Sequence, residues 1–564
     1  MISVSEKKWV SHKVNKNLVE KIKQDFNFNE ILARLIVIRD YDITEINNIN
    51  NNIKISNIFK NDTDFKKAVE ILINSIKTRE NICILGDYDV DGSAAASLLI
   101  RYLSHIKQPH FYYIPDRVID GYGASKKLFQ KLILQNPKLV IMVDCGSTSN
   151  EAIDFLNKNN IKSIIIDHHE INLPYPNSNV IINPKKNTKN LDSQYFCATS
   201  LTYFFIDMLI QKMNSNFKLS NFIIYVLMAI ICDVMPLRKI NKIIALNVFK
   251  KFNIKNNAAF DFIFKQIGIN RKIIIDDLGY LIGPIINAGG RLGHSSFATE
   301  LLTTNNLNII KKNGLKLIKL NNKRKVIEQN ILDEINFDKI KKENKNVIIY
   351  YKNNINEGLI GIIAARLKDY FNKPSIVITK SNNILKGSAR STINYNIGHV
   401  IKLLFDKKII EKGGGHNMAA GFTIKKNNLK LLDNFIQKDY SNKILTKNAI
   451  HQYDAEISIS SLNNDFINEI NKLGPFGNCN FLPIFFIKNV KIIKTSIINN
   501  KHVSAIIKPY IGPSIKSICF NCVNTPIGEH LLFYKKQINI IAEINENIWN
   551  NKKNKQLKIK DIIL

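Results

Sequence analysis

Three aspartates, Asp87, Asp89 and Asp91, alternate directly after the apolar run 82–85, and the run 163–166 leads into Asp167-His168-His169. Carboxylates at every other position crowd negative charge into a few ångströms, which is costly unless a multivalent cation neutralises it. Hard carboxylate oxygens beside imidazole suit Mn or Mg, whereas a zinc site would more often recruit Cys. Asp144 follows a further apolar run, 139–143. It could cap a helix there, or bridge two cations at the roughly 4 Å spacing of two-metal hydrolysis. Adjacent His168 and His169 cannot face one way on a strand, but on a turn they can. Asp233 stands just past an apolar helical stretch and, taken alone, reads as a helix terminator. The Asp-x-Asp-x-Asp-Gly pattern opens like a calcium loop, yet its twelfth residue is Leu98 rather than the closing Glu. A site for two divalent ions is the expectation.

Ligands drawn from so long a stretch need several chain segments that end side by side. Short β-rich runs at 82–85, 111–114, 139–143, 163–166 and 180–182 alternate with helical segments, the rhythm of a parallel α/β sheet. Each acidic or His motif stands where a run ends, and open α/β sheets gather ligands at the carboxyl ends of strands. Residues 1–80 read as helices, with Ile31, Leu32, Leu35 and Ile36 at helical spacing. A helical region at 201–275 precedes Gly289-Gly290-Arg291-Leu292-Gly293, and a Lys-rich helical segment at 305–345 would suit a connector. A second α/β region spans 347–423, and from 450 onward short strands broken by Gly, Pro and Asn suggest a small β-barrel. The Asn-rich patch 47–52 reads as a loop.

The 564 residues carry 80 Lys and Arg against 47 Asp and Glu, a formal charge of +33 that favours a polyanionic partner, either nucleic acid or an anionic membrane surface. Coding bias toward Lys, Asn and Ile is the bland alternative. No apolar stretch reaches the roughly 20 residues of a membrane helix and the N-terminus is polar, so a cytoplasmic protein is expected. The seven Cys form no paired framework; Cys519 and Cys522 lack the second pair or His that zinc would need. No G-x-x-x-x-G-K-[ST] occurs, which disfavours a P-loop motor.

The set Gly86-Asp87-Tyr88-Asp89-Val90-Asp91-Gly92, Val143-Asp144-Cys145-Gly146, Asp167-His168-His169 and Asp233-Val234 resembles the DHH phosphoesterase superfamily. Further motifs follow in family order: Pro115-Asp116-Arg117 leading to Asp120-Gly121-Tyr122-Gly123, Asn287-Ala288-Gly289-Gly290-Arg291, Lys386-Gly387-Ser388-Ala389-Arg390-Ser391, Gly413-Gly414-Gly415-His416 and Pro475-Phe476-Gly477. Within the superfamily, the likeness is to the bacterial exonucleases specific for single-stranded DNA. It implies an α/β architecture: a DHH parallel-sheet domain with the N-terminal helices (1–300), a long connecting helix (301–345), a second α/β, DHH-associated domain (346–445) and a C-terminal OB-like barrel that binds nucleic acid (446–564).

The resemblance also implies roles. Asp89, Asp91, Asp144, His168, His169 and Asp233 would hold two Mn or Mg ions, with Asp87 close by and sharing in catalysis. Arg117, Arg291, Ser388 and Arg390 would contact strand phosphates, and guanidinium forks do bind phosphate bidentately. Gly414 and Gly415 would let backbone approach the substrate, and His416 could donate to a phosphate oxygen. The implied activity is 5′-to-3′ hydrolysis of single-stranded DNA to mononucleotides, in recombination and repair. The rivals are a phosphoesterase for short oligonucleotides or cyclic dinucleotides, and an inactive DNA-binding scaffold. Partners implied are single-stranded DNA, a helicase and a single-strand-binding protein; a monomer and no membrane association are expected. Two departures stand out. Ile355-Asn356 replaces a usual Trp-His, and Cys197-Ala198-Thr199-Ser200 replaces a Gly-rich segment. Of the aromatics Phe476, Phe481, Phe485 and Phe486, most are expected in the barrel core.

Overall fold

The computed structural model describes residues 1–50, 55–117, 119–121, 123–186, 195–381, 384–444, 450–549 and 552–564. Its strands run in chain order from β1 (Lys8–Ser11) through β2 (Ile82–Gly86), β3 (His110–Tyr113), β4 (Leu139–Val143), β5 (Lys162–Ile166) and β6 (Val180–Ile182). Next come β7 (Ile348–Tyr351), β8 (Ser375–Ser381), β9 (Ile384–Arg390), β10 (Lys412–His416) and β11 (Ala419–Ile424). The last group is β12 (Ile450–Tyr453), β13 (Ala455–Ile457), β14 (Ile484–Ile498), β15 (His502–Pro509), β16 (Ile515–Cys519), β17 (Ile538–Trp549) and β18 (Lys552–Ile563). Two compact units form: residues 56–235 with 244–446, and residues 1–55 with 236–243 and 447–564.

In the larger unit, β3-β2-β4-β5-β6 make an all-parallel sheet in that order. The apolar runs of β2 and β4 are buried at every position, as strands covered on both faces must be. Full burial of each such Ile, Leu or Val stabilises the unit by about 1.5–3 kcal/mol, so the ends of β2, β4 and β5 are held in fixed register. The second sheet, β10-β11-β9-β8-β7, is mixed: β7 and β8 are parallel and the other three pairings antiparallel. Gly413–His416 thus belongs to an exposed strand. The Leu307–Asp333 helix precedes this second sheet. It buries a stripe from Ile310 through Leu317 to Ile331 and exposes its lysines. The connector predicted over 305–345 is therefore two helices, the second being Phe337–Glu343.

In the smaller unit β14, β15, β16, β18 and β17 close into a five-stranded barrel through a β14–β17 pairing. Its core includes Phe485, Ile540 and Leu557, and it is shared with Leu32, Leu35 and Ile36 of the Glu30–Ile38 helix. Sequence grouping put these N-terminal helices with the segment 1–300; their apolar faces instead complete the barrel core. The all-helical reading of residues 1–80 also missed β1, which pairs in parallel with β12. A four-residue strand whose hydrogen-bond partner lies so far along the chain has no local signature. Asn47–Asn50 are helical rather than looped, within Ile43–Asn50, and 51–52 lie outside the described residues. Phe485 and Phe486 are core, Phe476 packs at its edge and Phe481 is exposed.

Asp561, fully buried, accepts from the Trp9 indole (2.9 Å) and the Ser5 hydroxyl (2.6 Å). A buried carboxylate deprived of a donor loses about 1.5–3 kcal/mol. Trp9→Phe should therefore destabilise this unit by about that amount in urea unfolding, and an unchanged midpoint would show that the N-terminal strand does not support the barrel.

Candidate metal centre and phosphate pocket

The end of β2 runs straight into the Val90–His105 helix, so Asp87, Asp89 and Asp91 sit on one tight turn. Asp89 caps that helix, accepting from Gly92 N–H at 3.0 Å. Asn287 braces the turn by accepting from Val90 N–H (3.1 Å). At Gly290 a Cβ would lie 2.7 Å from the Tyr88 carbonyl oxygen, so only glycine lets the Asn-Ala-Gly-Gly-Arg segment seat beneath it. Asp91 turns inward. Its two oxygens accept from Ala198 N–H (2.7 Å), Thr199 N–H (2.8 Å) and the Thr199 hydroxyl (2.6 Å), at the N-terminus of the Ala198–Met213 helix.

Asp144 leaves β4 in the left-handed region, φ 60°, and its N–H is held by the Ile166 carbonyl (2.9 Å). At the end of β5 the Asp167 carboxylate accepts from His168 N–H (2.8 Å), His169 N–H (3.2 Å), His169 Nδ1 (2.8 Å) and Ser147 N–H (3.1 Å). Burial opposes this charge, but the bonds to His169 and Ser147 hold its pKa well below the usual carboxylate range. Asp167 therefore orients His169 Nδ1 and leaves Nε2 for other partners. Burial likewise disfavours a charged His169, yet Asp167 carries its pKa up to about 9. Asp233 ends the Ile223–Cys232 helix, just before Val234 at φ 56°.

These groups converge. His168 Nε2 lies 3.4 Å from Asp144 Oδ1, 3.4 Å from Asp233 Oδ2 and 3.7 Å from Asp91 Oδ2. Burial pushes the His168 imidazole down to about 4, so it is neutral and can give one proton to one of three carboxylates. Burial and mutual repulsion push Asp87, Asp89, Asp144 and Asp233 above the usual range. Asp87 Oδ1, Asp144 Oδ1 and Asp233 Oδ2 are buried with no hydrogen-bond partner. Three sets of ligand atoms each lie within 4.8 Å: Asp87, Asp89 and Asp144; Asp144, His168 and His169; Asp91, His168 and Asp233. Orphaned oxygens facing a neutral imidazole fit hard divalent cations, with Asp144 shared between two of the sets.

Beside this cluster lies a basic one. Arg117 stacks on the Tyr88 ring (4.5 Å to its centroid) and its charge acts on Asp87. Arg291 donates to the Gly358 carbonyl (3.2 Å); burial first, then Arg117, Arg324 and Arg390, lower its pKa to about 10. The Arg390 guanidinium and Ser388 hydroxyl lie over Gly361, where a Cβ would come within 2.9 and 3.1 Å of them. Arginines crowded together against burial make a pocket for an anion. The expected Arg117, Arg291, Ser388 and Arg390 do meet. Arg324, on the Leu307–Asp333 helix and paired with Glu328 at 2.8 Å, was missed, because one basic residue in a Lys-rich helix carries no signal. Gly414 and Gly415 lie exposed on β10, and the His416 ring stacks on His169 at 6.1 Å. Asp167, Asn183 and Asn287 were also missed as supports; Tyr122 lies outside the described residues.

Residues 81–230 match the model of the DHH family N-terminal domain, 344–442 the DHHA1 domain and 453–561 the RecJ OB domain. The chain thus carries a DHH domain, a DHHA1 domain and a RecJ OB domain. Similar proteins include the single-stranded-DNA-specific exonuclease RecJ of Bacillus subtilis (strain 168), 25% identical over 99% of this chain and 71% of that protein. RecJ of Haemophilus influenzae is 26% identical over 85% of this chain and 88% of that protein. The crystal structure of Thermus thermophilus RecJ in complex with Mn2+ has the same fold, with a TM-score of 0.82 at 17% identity, covering 99% of this chain and 79% of that one.

In these terms the DHH domain supplies the carboxylate cluster except Asp233, which follows just after it, while the DHHA1 domain brings Ser388, Arg390 and His416. Both departures are accounted for. Asn356 caps the Glu357–Phe371 helix, accepting from Gly358 N–H at 2.8 Å. Cys197–Ser200 opens the helix whose first N–H groups hold Asp91. If repulsion dominates the metal-free cluster, Mn2+ at about a hundredfold its Kd should stabilise the protein by about 2.7 kcal/mol. Asp144→Asn should remove most of that gain without lowering the metal-free melting temperature; a full Mn2+ shift in the variant would remove Asp144 from the centre.

Proposed function

We propose that this chain is a metal-dependent exonuclease that hydrolyses single-stranded DNA from the 5′ end to mononucleotides, in recombination and repair. The observation that carries the reading is the meeting, in one unit, of a carboxylate–imidazole cluster with orphaned oxygens and an arginine–serine pocket. In this reading Asp89, Asp91, Asp144, His168, His169 and Asp233 hold two Mn or Mg ions, with Asp87 beside them. Such ions lower the pKa of water and offset charge developing on the phosphoryl oxygens. Arg117, Arg291, Ser388 and Arg390 grip the terminal 5′-phosphate, which leaves the next phosphodiester to reach the carboxylates. Asp167 holds the His169 ring beside Asp144, and His416 stacks on that ring from the DHHA1 domain. Gly414 and Gly415 present open backbone to the strand.

The charge of +33 and the match to an OB domain favour a long strand over a dinucleotide or cyclic dinucleotide. Unpartnered buried carboxylate oxygens would be an unneeded cost in an inactive scaffold. A helicase and a single-strand-binding protein would work beside a monomeric, cytoplasmic enzyme. Among the described residues, no helix is long and apolar enough to cross a membrane.

With Mn2+, 5′-labelled single strands should release labelled mononucleotide at once, and 3′-labelled strands should shorten gradually; the reverse pattern would overturn the polarity. Asp144→Ala should lower turnover by at least about a thousandfold while strand binding persists. Arg390→Ala should weaken the preference for 5′-phosphorylated ends by about 10- to 100-fold, the loss of one charge-assisted pair. An unchanged preference would move the phosphate elsewhere.

A further inference from the structure

The loop leaving β6 carries a cation that neither the metal cluster nor the arginine pocket accounts for. The Asn183 side-chain amide donates to the Ser147 hydroxyl (2.8 Å) and the His169 carbonyl (3.0 Å), and its oxygen accepts from Lys185 N–H (2.9 Å). One amide thus ties the Lys185 backbone to the loops that carry Asp144 and His169. The next two side chains part company. Lys186 Nζ pairs with Asp64 (2.8 Å) on the Thr63–Lys77 helix side, whereas Lys185 Nζ pairs with Glu170 (2.9 Å), the residue after His169. The Lys185 charge acts on His168 in the DHH domain, on Asp233 just after it and on His416 in the DHHA1 domain. Its ammonium therefore stands at the rim of the carboxylate cluster, within electrostatic reach of groups from three chain segments.

We propose that Lys185 is a phosphate-binding residue of the cleavage site, its ammonium leaving Glu170 to hold a non-bridging oxygen of the strand phosphate that crosses the carboxylates. The inference rests on the nuclease reading above. A cluster of carboxylates repels a polyanion, and a cation at its rim offsets that repulsion where the strand must approach most closely. The Glu170 side chain is 61% exposed and that of Lys185 27%, and pairs of this kind contribute only about 0–1 kcal/mol. A phosphate can therefore take the lysine from Glu170 at little cost. A compact ammonium on a flexible stem, unlike the rigid fork of an arginine, can follow a phosphate as the strand advances.

The test uses the full chain with a 5′-phosphorylated oligothymidine. Strand binding is measured by fluorescence anisotropy across salt without divalent ions, cleavage with Mn2+, and Mn2+ affinity by calorimetry. For Lys185→Gln, kcat/KM should fall at least about tenfold at unchanged Mn2+ affinity. The slope of log affinity against log salt should shrink by about 0.7, the loss of one single-strand phosphate contact. Lys185→Arg should recover most of the loss, and Glu170→Gln should match or exceed wild type. An unaltered slope and kcat/KM in Lys185→Gln would overturn the assignment. So would equal losses in Glu170→Gln, which would make the pair a structural brace, or a fall in Mn2+ affinity that accounts for the lost activity. A wild-type chain that neither binds nor cuts the strand would overturn the nuclease reading along with it.

Discussion

Repulsion among buried carboxylates around a neutral imidazole is the constraint to which the larger unit is built. Asp87, Asp89, Asp144 and Asp233 all face one another with their charged forms disfavoured, and His168 sits among them without a charge of its own. A flexible chain would let such groups swing apart into water. Here the sheet prevents it, because β2, β4 and all of β5 after Lys162 are buried, and the three end in register. The turns beyond them are held by polar braces: Asn287 on Val90, the Ala198–Met213 helix on Asp91, and Asp167 on His169. The arrangement favours a divalent pair because the scaffold has already met the cost of bringing the ligands together.

Charge is partitioned across this unit. Carboxylates gather at the ends of parallel strands, whereas Arg117, Arg324 and Arg390 gather around Arg291, with Arg291 and Arg390 against Gly358 and Gly361 of the next helix. Each set would be unstable alone, one through crowded anions and the other through crowded cations lowered in pKa by burial. In the proposed function a phosphodiester strand would complement both, its phosphates meeting the arginines and its scissile group the carboxylate face. The two domains meet at the His169–His416 stack, which brings the exposed glycine-rich strand to the turns that carry the carboxylates.

The smaller unit solves a different problem. A five-stranded barrel leaves little interior, and its core is enlarged by apolar residues from three N-terminal helices and anchored by the Trp9–Asp561 bond. Its folding therefore needs both ends of the chain, which is why a reading that moved along the sequence in order grouped those helices elsewhere.

Much of the site was legible from residue type and spacing. Alternating Asp after an apolar run, and Asp-His-His after another, identified the divalent chemistry, because strand periodicity and hard-ligand preference are local properties. The five strands 82–86, 110–113, 139–143, 162–166 and 180–182 were legible for the same reason: buried parallel strands are continuous apolar runs. Determined by the sequence itself, then, were the kind of ligands, the kind of sheet and the excess of positive charge. Only the tertiary structure decided that Asp167 orients rather than faces the cluster, that Asn356 is a cap, and that Arg324 and Lys185 stand near the site. Hydrogen bonds and charges act through space over a few ångströms, and the residues that meet there are separated along the chain by distances no local pattern encodes.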